Sequence, residues 1–286
     1  MATSFVLTVV CQDQPGITAG VTSSLFSAGA NIIEAQQFND QDTGRFFMRV
    51  VFTAGVEACD DGTLEKALQK PIQQFSIEWT LKPLSQKKKV LILVSKQDHC
   101  LGDLLYRTRI GELAMEVVGV VSNHPKSSLN IATLGDVPYY HFPITPETKP
   151  EQESKIKQVI DESGAELIVL ARYMQILSED LTEFVSGRCV NIHHSSLPGF
   201  KGAKPYHQAY ERGVKLIGAT AHFVTSDLDE GPIIEQDIEH ITHADMPDDL
   251  VRKGRDIERS VLARAVSYLL EERVLLNGSK TVVFRD

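Results

Sequence analysis

Two groups of polar side chains in the second half of the chain could carry out chemistry. On an apolar run that reads as a strand, alternation places Asn191 and His193 on the same side. A second segment, from His222 to Asp229, supplies another imidazole and two aspartates before the next apolar run. An amide donor and an imidazole that project together can bind a developing oxyanion and move its proton. These residue types indicate acyl-group chemistry without a covalent nucleophile.

Each of these residues also has an ordinary structural interpretation. Asn191 and His193 could be structural residues of a strand, Asp229 before Glu-Gly-Pro could form a turn, and His222 could be a hydrogen-bonded core histidine. The chain has no G-x-S-x-G segment, and no cysteine stands beside a promising histidine. Taken one at a time, the residues leave both interpretations open.

Composition limits the class of protein. A chain of 286 residues with 42% hydrophobic residues is long enough for two domains. Its net charge of -9 argues against a general nucleic-acid or anionic-membrane surface. No stretch is long and apolar enough to span a bilayer. The four cysteines, which match no zinc-binding spacing, are expected to be reduced thiols of a cytoplasmic protein: Cys11, Cys59, Cys100 and Cys189.

The first part of the chain predicts a ferredoxin-like βαββαβ domain over residues 1–83. Apolar, β-branched runs indicate strands, and apolar residues at helical spacing indicate helices. The turn Asp13-Gln-Pro-Gly16 follows the first strand, and Gly29 stands where a helix would end. The predicted strands cover 5–10, 30–38, 45–52 and 75–81, and the predicted helices cover 17–28 and 64–68.

A polar linker over residues 84–89 separates this domain from a second one over 90–286. After the linker, apolar runs alternate with helical patterns, which predicts an α/β domain with a mostly parallel sheet. Ligands of such sheets bind beyond the carboxyl ends of the strands. The predicted strands cover 90–94, 116–122, 167–170, 188–192, 216–224 and 232–238, and helices are expected over 101–110, over 151–163 and within 248–272.

The polar segments resemble the formyltransferase superfamily, whose members use 10-formyltetrahydrofolate. The resemblance rests on Asn191-Ile-His193, Ser196-Leu-Pro198, Gly202, His222-Phe-Val and Leu228-Asp229-x-Gly231-x-Ile233, in the family's order. It implies a Rossmann-like domain in which Asn191, His193 and Asp229 are catalytic and His222 is a supporting residue. It also implies a loop whose backbone holds the pterin, containing Arg172, Tyr173, Met174, Gln175 and Leu177.

The first domain resembles an ACT domain, because an Asp-x-Pro-Gly turn, Asp13 to Gly16, follows the first strand of a βαββαβ unit. Such domains usually bind amino acids between paired copies. The resemblance therefore implies a homo-oligomer and an amino-acid effector, glycine or methionine. A plain turn remains the alternative at this position. The implied effector residues are Asp13, Gln14, Pro15, Gly16, Ile17 and Asn31.

The order of the two domains is similar to that of the formyltetrahydrofolate deformylases. The segment after the first strand of the second domain, Ser95 to Asp103, is not a glycine-rich phosphate cradle, and Asp98 and Asp103 are expected to oppose an acceptor phosphate. The segment from Gly202 to Ala209 also matches the deformylase pattern. Bulkier apolar residues are common in that family where Ser196 and Lys201 stand, which bears on substrate preference.

The resemblance implies hydrolysis of 10-formyltetrahydrofolate to tetrahydrofolate and formate. This reaction would supply formate for purine synthesis and balance the folate pools. The folate is the substrate, and neither a cofactor nor a metal is implied. Two alternatives stay open: formyl transfer to an amine such as glycinamide ribonucleotide, and an amino-acid sensor whose second domain is inactive.

Overall fold

The computed structural model describes residues 2–55, 62–131, 134–195, 197 and 205–285. The chain divides into two compact units. The first contains Met1–Lys87 together with Glu271–Asn277 and Val282–Asp286, and the second contains Lys88–Leu270 and Gly278–Thr281. The sequence had instead assigned all of 90–286 to the second domain, with 84–89 as a linker. The end of the chain thus contributes to the first unit, which no local pattern in the sequence indicates.

In the first unit, four antiparallel strands form a sheet in the order β2-β3-β1-β4. The predicted ferredoxin-like βαββαβ arrangement is confirmed. The predicted strand over 75–81 begins too early, because Phe75 is the last residue of a helix that Ser76 ends in a left-handed conformation. The elements are β1 (Ala2–Gln12), α1 (Ile17–Ser27), β2 (Asn31–Asp40), β3 (Arg45–Gly55), α2 (Thr63–Phe75) and β4 (Glu78–Pro83).

One face of this sheet packs on the two helices, as the alternation of apolar residues predicts. The other face carries Arg49, whose side chain is 2% exposed and lies 2.7 Å from a carboxylate oxygen of Glu34. The C-terminal segment adds a second arginine to this ion pair, since Arg273 lies 3.5 Å from Glu34. It makes a separate contact through Asn277, which donates to Asp40 at 2.6 Å. Two short strands, β12 (Val274–Asn277) and β13 (Lys280–Val283), pair with each other in this region.

The second unit is built on a seven-stranded sheet in the order β11-β10-β9-β8-β5-β6-β7. The five strands from β9 to β7 are parallel neighbours, and β10 is antiparallel to both β9 and β11. This confirms the mostly parallel sheet. The strands are β5 (Lys88–Val94), β6 (Met115–Ser122), β7 (Tyr139–His141), β8 (Leu167–Leu170), β9 (Cys189–His193), β10 (Leu216–Phe223) and β11 (Ile233–His240).

The central strands are apolar on both faces because helices cover the sheet, and every residue from Val90 to Val94 is buried. The sequence did not indicate β7 or two short helices over 179–184 and 205–212, which are too brief to show a clear period. Among the described residues, no helix is long and apolar enough to cross a membrane. The helices are α3 (His99–Arg109), α4 (Lys149–Ser163), α5 (Glu179–Phe184), α6 (Pro205–Arg212) and α7 (Pro247–Leu270).

Candidate active site

Antiparallel pairing of β9 with β10 brings the first polar residues together. Asn191 stands directly opposite His222, and His193 stands opposite Thr220. Residues that face each other across two strands project from the same side of the sheet. The Asn191 amide nitrogen lies 3.2 Å from Nε2 of His222. The two motifs, which are 31 residues apart in the sequence, therefore meet as a cross-strand pair.

The hydrogen bonds of His222 fix its tautomer. Its Nδ1 lies 2.9 Å from the Phe223 carbonyl oxygen, which can only accept, so Nδ1 carries the hydrogen. Nε2 is then an acceptor, and Asn191 donates to it. Burial lowers the pKa of His222, which keeps the ring neutral. The Asn191 amide is thereby held with its nitrogen toward the ring, and its second hydrogen can serve an acceptor in the cleft.

Asp229 lies in the segment after β10, and its carboxylate approaches both His193 and His222. Its Oδ1 lies 3.3 Å from Nδ1 of His193 and 3.8 Å from Nε2 of His222. The hydrogen bond from His193 holds the pKa of Asp229 below its usual range, against the opposing effect of burial, so the carboxylate is ionised. On the other side of the His193 ring, Nε2 is buried and has no partner among the described residues. That nitrogen is available to a bound molecule.

The backbone around Asp229 is constrained. Asp229 has a φ of 58°, a left-handed conformation that non-glycine residues adopt at a cost. Two residues later, a Cβ on Gly231 would lie 1.8 Å from the Phe223 carbonyl oxygen. The Phe223 backbone N–H donates to the Pro232 carbonyl at 2.9 Å, which closes the turn. A glycine at position 231 is thus required for the chain to fold back and carry Asp229 to His193.

A buried threonine braces the segment that follows β9. The Thr220 hydroxyl donates to the Ser195 carbonyl at 2.9 Å and accepts from the Leu197 backbone N–H at 3.1 Å. Gln236 donates to the Leu197 carbonyl at 3.1 Å. Thr220 was not among the predicted site residues, although its alternation with His222 on one strand is a usable signal. Some residues of the sequence motifs lie outside the described residues: Ser196, Pro198, Lys201 and Gly202, and likewise Cys59.

The clustered side chains line one cleft of about 290 Å³. All five predicted pterin-loop residues line it: Arg172, Tyr173, Met174, Gln175 and Leu177. Ile176 and Thr182, which were not predicted from the sequence, also line it. Met174 and Ile176 are 55% and 62% exposed, an apolar rim that suits a flat ring system. The Tyr173 hydroxyl accepts from Gln152 at 2.7 Å, so its ring is a fixed wall of the cleft.

His194 forms a neutral side of the cleft. Burial, assisted by the nearby positive charge of Arg172, lowers the pKa of His194 to about 3. Its ring centroid lies 5.1 Å from that of His193 and 6.1 Å from that of Tyr206. The ring therefore packs between the catalytic candidate and α6 without adding charge to the site.

The segment after β5 differs from expectation. The sequence predicted that Asp98 would oppose an acceptor phosphate, but its carboxylate is buried and accepts from the backbone N–H groups of Asn130 and Ile131, the latter at 3.0 Å. These donors satisfy its charge inside the protein. His99 lies 2.8 Å from Glu258 and Asp103 pairs with Arg107 at 2.8 Å. The electrostatic repulsion expected from Asp98 therefore has no support in the geometry.

In the first unit, the turn after β1 borders a separate open cavity of about 540 Å³. Five of the six predicted effector residues, Asp13 to Ile17, line it together with Gln37, Asn39 and Phe46. The sixth, Asn31, does not. It begins β2 opposite Thr53, whereas the cavity lies near the other end of that strand. The direction of α1 explains the separation, since the helix carries the chain away from the turn before β2 begins.

Comparison with known proteins supplies the context for this site. A family model described as formyl transferase matches residues 88–266, and an ACT domain model matches residues 5–70. A formyltetrahydrofolate deformylase from Corynebacterium sp. (strain P-1) is 49% identical over 281 residues, which cover 98% of each chain.

Solved structures of a deformylase and of a transformylase are also similar to this chain. The crystal structure of a formyltetrahydrofolate deformylase from Burkholderia mallei matches with a TM-score of 0.92 and 49% identity, covering 99% of this chain and 100% of that one. Glycinamide ribonucleotide transformylase 1 from Symbiobacterium toebii matches with a TM-score of 0.64 and 28% identity, covering 70% of this chain and 95% of that one.

Gly231→Ala tests the constraint on Asp229. The added methyl group must displace either the Phe223 carbonyl or the turn, and the shift moves Asp229 away from His193. We expect turnover of 10-formyltetrahydrofolate to fall by about 100-fold, because misplacement of a catalytic group by about 1 Å has that effect. Gly55→Ala is the control, since a Cβ there meets nothing within 4 Å. Wild-type turnover in Gly231→Ala would contradict this account of the turn.

Proposed function

The chain belongs to the formyltetrahydrofolate deformylase family, and from this we infer that it hydrolyses 10-formyltetrahydrofolate to tetrahydrofolate and formate. The observation that carries the mechanism is the meeting of an amide, an imidazole and a carboxylate in one cleft. Asn191, His193 and Asp229 come together there, and the orphan Nε2 of His193 is left for the substrate.

In the proposed mechanism, water attacks the formyl carbon. Asp229 accepts a proton from that water, directly or through His193, while a carbon–oxygen bond forms. Asn191 and the protonated His193 donate to the oxyanion of the tetrahedral intermediate. The carbon–nitrogen bond then breaks as the folate nitrogen takes the proton that Asp229 or His193 received from water. Tetrahydrofolate is released together with formic acid, which loses its remaining proton to solvent and leaves as formate. Donors aimed at the oxyanion stabilise the transition state more than the ground state.

The proposed role of His222 is to orient Asn191. Because His222 is neutral and its Nδ1 hydrogen is committed to Phe223, the ring accepts from Asn191 and does not compete for the substrate. We propose that the backbone of residues 172–177 holds the pterin, as the family resemblance implies, and that the apolar rim at Met174 and Ile176 covers it. No step of this mechanism requires a metal or a cofactor.

Formyl transfer to an amine is the second candidate, since the chain is also similar to a glycinamide ribonucleotide transformylase. The segment after β5 favours hydrolysis for a reason other than the charge of Asp98. Gln97 accepts from Arg172 at 3.0 Å and His99 pairs with Glu258 at 2.8 Å, so both side chains are already engaged. We propose that this segment offers no cradle for an acceptor phosphate.

Formate release without an added amine tests the proposed reaction. We expect wild-type protein to convert 10-formyltetrahydrofolate to equal amounts of tetrahydrofolate and formate, followed by absorbance and by an enzymatic formate assay. Added glycinamide ribonucleotide should neither be formylated nor slow the hydrolysis. Formylation of the nucleotide at a rate that matches formate release would overturn the assignment in favour of the transferase.

Substitutions at the three proposed catalytic residues test the mechanism. Asp229→Asn and His193→Ala should abolish most formate release, while Asn191→Ala should lower kcat by about 100- to 1000-fold with little change in KM. Glu230→Gln, an exposed neighbour outside the cleft, is the matched control. Circular dichroism establishes that each variant is folded. An Asn191→Ala enzyme that loses affinity and keeps its kcat would show Asn191 to be a ground-state contact.

We also propose that the first unit binds an amino-acid effector, glycine or methionine, in the cavity at Asp13 to Ile17, that the protein is a homo-oligomer, and that it acts in the cytoplasm. Titration calorimetry with each amino acid should give saturable binding, which Asp13→Ala weakens. Activity should respond to the same amino acid, and light scattering should give more than one chain per particle. A monomer without a calorimetric signal for either amino acid would refute the proposal.

A further inference from the structure

A buried carboxylate on α7 joins three segments of the second unit. The side chain of Glu258 is 2% exposed. Its oxygens lie 2.8 Å from Nε2 of His99, 2.7 Å from the Tyr206 hydroxyl and 3.4 Å from Nε of Arg172. His99 follows β5, Arg172 follows β8 and Tyr206 lies on α6, which comes after β9. One carboxylate thus contacts each segment that follows these neighbouring strands.

The glycine one turn before Glu258 shows that this contact is built into the helix. A Cβ on Gly254 would lie 2.1 Å from Cζ of Tyr206. Only a residue without a side chain allows the tyrosine ring to lie against α7 and direct its hydroxyl at Glu258. The network therefore depends on two α7 residues that are spaced to face the same way.

The charge on Glu258 is maintained by its partners. Burial favours the neutral acid, but the hydrogen bond from His99, the charge of Arg172 and the Tyr206 hydroxyl together hold the pKa of Glu258 below its usual range. Arg172 is itself buried, with 6% of its surface exposed. Two buried charges in contact are expensive to separate, because removing either one leaves the other without a counter-charge.

Arg172 links this carboxylate to the pterin loop. Its φ is 64°, and its guanidinium donates to Oε1 of Gln97 through Nε at 3.0 Å and Nη2 at 2.5 Å. Its carbonyl oxygen accepts from the Ser95 backbone N–H at 3.1 Å, and the Ser95 hydroxyl accepts from the Met174 backbone N–H at 2.9 Å. The Arg172 side chain is thus committed to protein partners, and it fixes the turn at which the loop begins.

A metal site is the competing interpretation of this cluster, since ligand atoms of His99, Cys100 and Glu258 lie within 4.8 Å of one another. The electrostatics oppose a cation. The Arg172 guanidinium already neutralises Glu258, and burial, followed by the charge of Glu258, raises the pKa of the Cys100 thiol well above its usual value. A protonated thiol beside a guanidinium is a poor place for a metal ion.

We propose that Glu258 is a positioning residue for folate binding: through Arg172 it holds the backbone of residues 172–177 in the conformation that receives the pterin. The proposal rests on the proposed function, because it assigns the pterin to that loop. Glu258 itself does not line the cleft. Its effect should therefore be on substrate affinity, with the catalytic groups around His193 left in place.

Glu258→Gln is the central test. Glutamine keeps the size and a hydrogen-bond acceptor but removes the charge that holds Arg172. We expect KM for 10-formyltetrahydrofolate to rise about tenfold or more, as loss of a charged hydrogen bond predicts, with kcat within about threefold of wild type. Calorimetric affinity for tetrahydrofolate should fall in parallel. Glu235→Gln is the matched control, a buried glutamate beside Arg264 that lies outside the cleft.

A double-mutant cycle with Arg172→Met shows whether Glu258 acts through Arg172. The double variant has no unpaired buried charge, so its KM should be no higher than that of the worse single variant. If Glu258→Gln does not fold, Arg172→Lys replaces it. Lysine keeps the charge beside Glu258 but loses the forked contact with Gln97, and KM should again rise.

The outcomes separate this proposal from the proposed function. An unchanged KM in Glu258→Gln, or in Arg172→Lys where that variant replaces it, overturns the proposal. A fall in kcat with KM unchanged, or additive effects in the cycle, also overturns it. If wild-type protein releases no formate, the proposed function fails, while the tetrahydrofolate titrations still report on the loop.

Discussion

Antiparallel pairing between β9 and β10 places Asn191 opposite His222, and the proposed catalytic arrangement follows from this register. A shift of one residue in this register would place Asn191 and His222 on opposite faces of the sheet. The register also places His193 opposite Thr220, which braces the segment after β9. Asp229 then arrives by a turn that closes on β10 itself, through the contact between Phe223 and Pro232. The three proposed catalytic residues thus have their positions set by one strand pair and one turn.

Asp229 and Glu258, two carboxylates of the second unit, illustrate how burial separates chemical roles. Asp229 retains some contact with the cleft and pairs with an imidazole, whose far nitrogen is free of partners among the described residues. It can therefore exchange a proton with a bound molecule. Glu258 is almost fully enclosed by a phenol, an imidazole and a guanidinium. A carboxylate whose partners all lie inside the protein is suited to a structural role, because any change in its protonation disturbs several hydrogen bonds.

Features that are local or carried by motifs were predictable from the sequence. Apolar runs and alternation predicted most strands of the two units, and the motif resemblance identified Asn191, His193, His222 and Asp229, which the structure brings together. Features that depend on contacts between residues distant in the sequence were not predictable. Glu258 lies within a long amphipathic helix, where a glutamate looks like any solvated residue. The contacts of the C-terminal segment were also not predictable, because their partners, Glu34 and Asp40, lie more than two hundred residues away in the sequence. The error at Asp98 has the same origin, since its backbone donors lie 32 and 33 residues away.

The choice between water and a larger acceptor follows from how the segment after β5 is held. An acceptor that carries a phosphate needs backbone N–H groups and side chains that are free to surround it. Here Gln97 contacts Arg172, His99 contacts Glu258, and the Asp98 carboxylate consumes two backbone donors of another loop. The proposed anchor of the loop at residues 172–177 therefore also immobilises the segment where such an acceptor would bind. To receive a phosphate, this segment would have to break contacts with two buried charged groups, whereas water needs no such rearrangement. Hydrolysis is then the reaction that this geometry permits at the lowest cost.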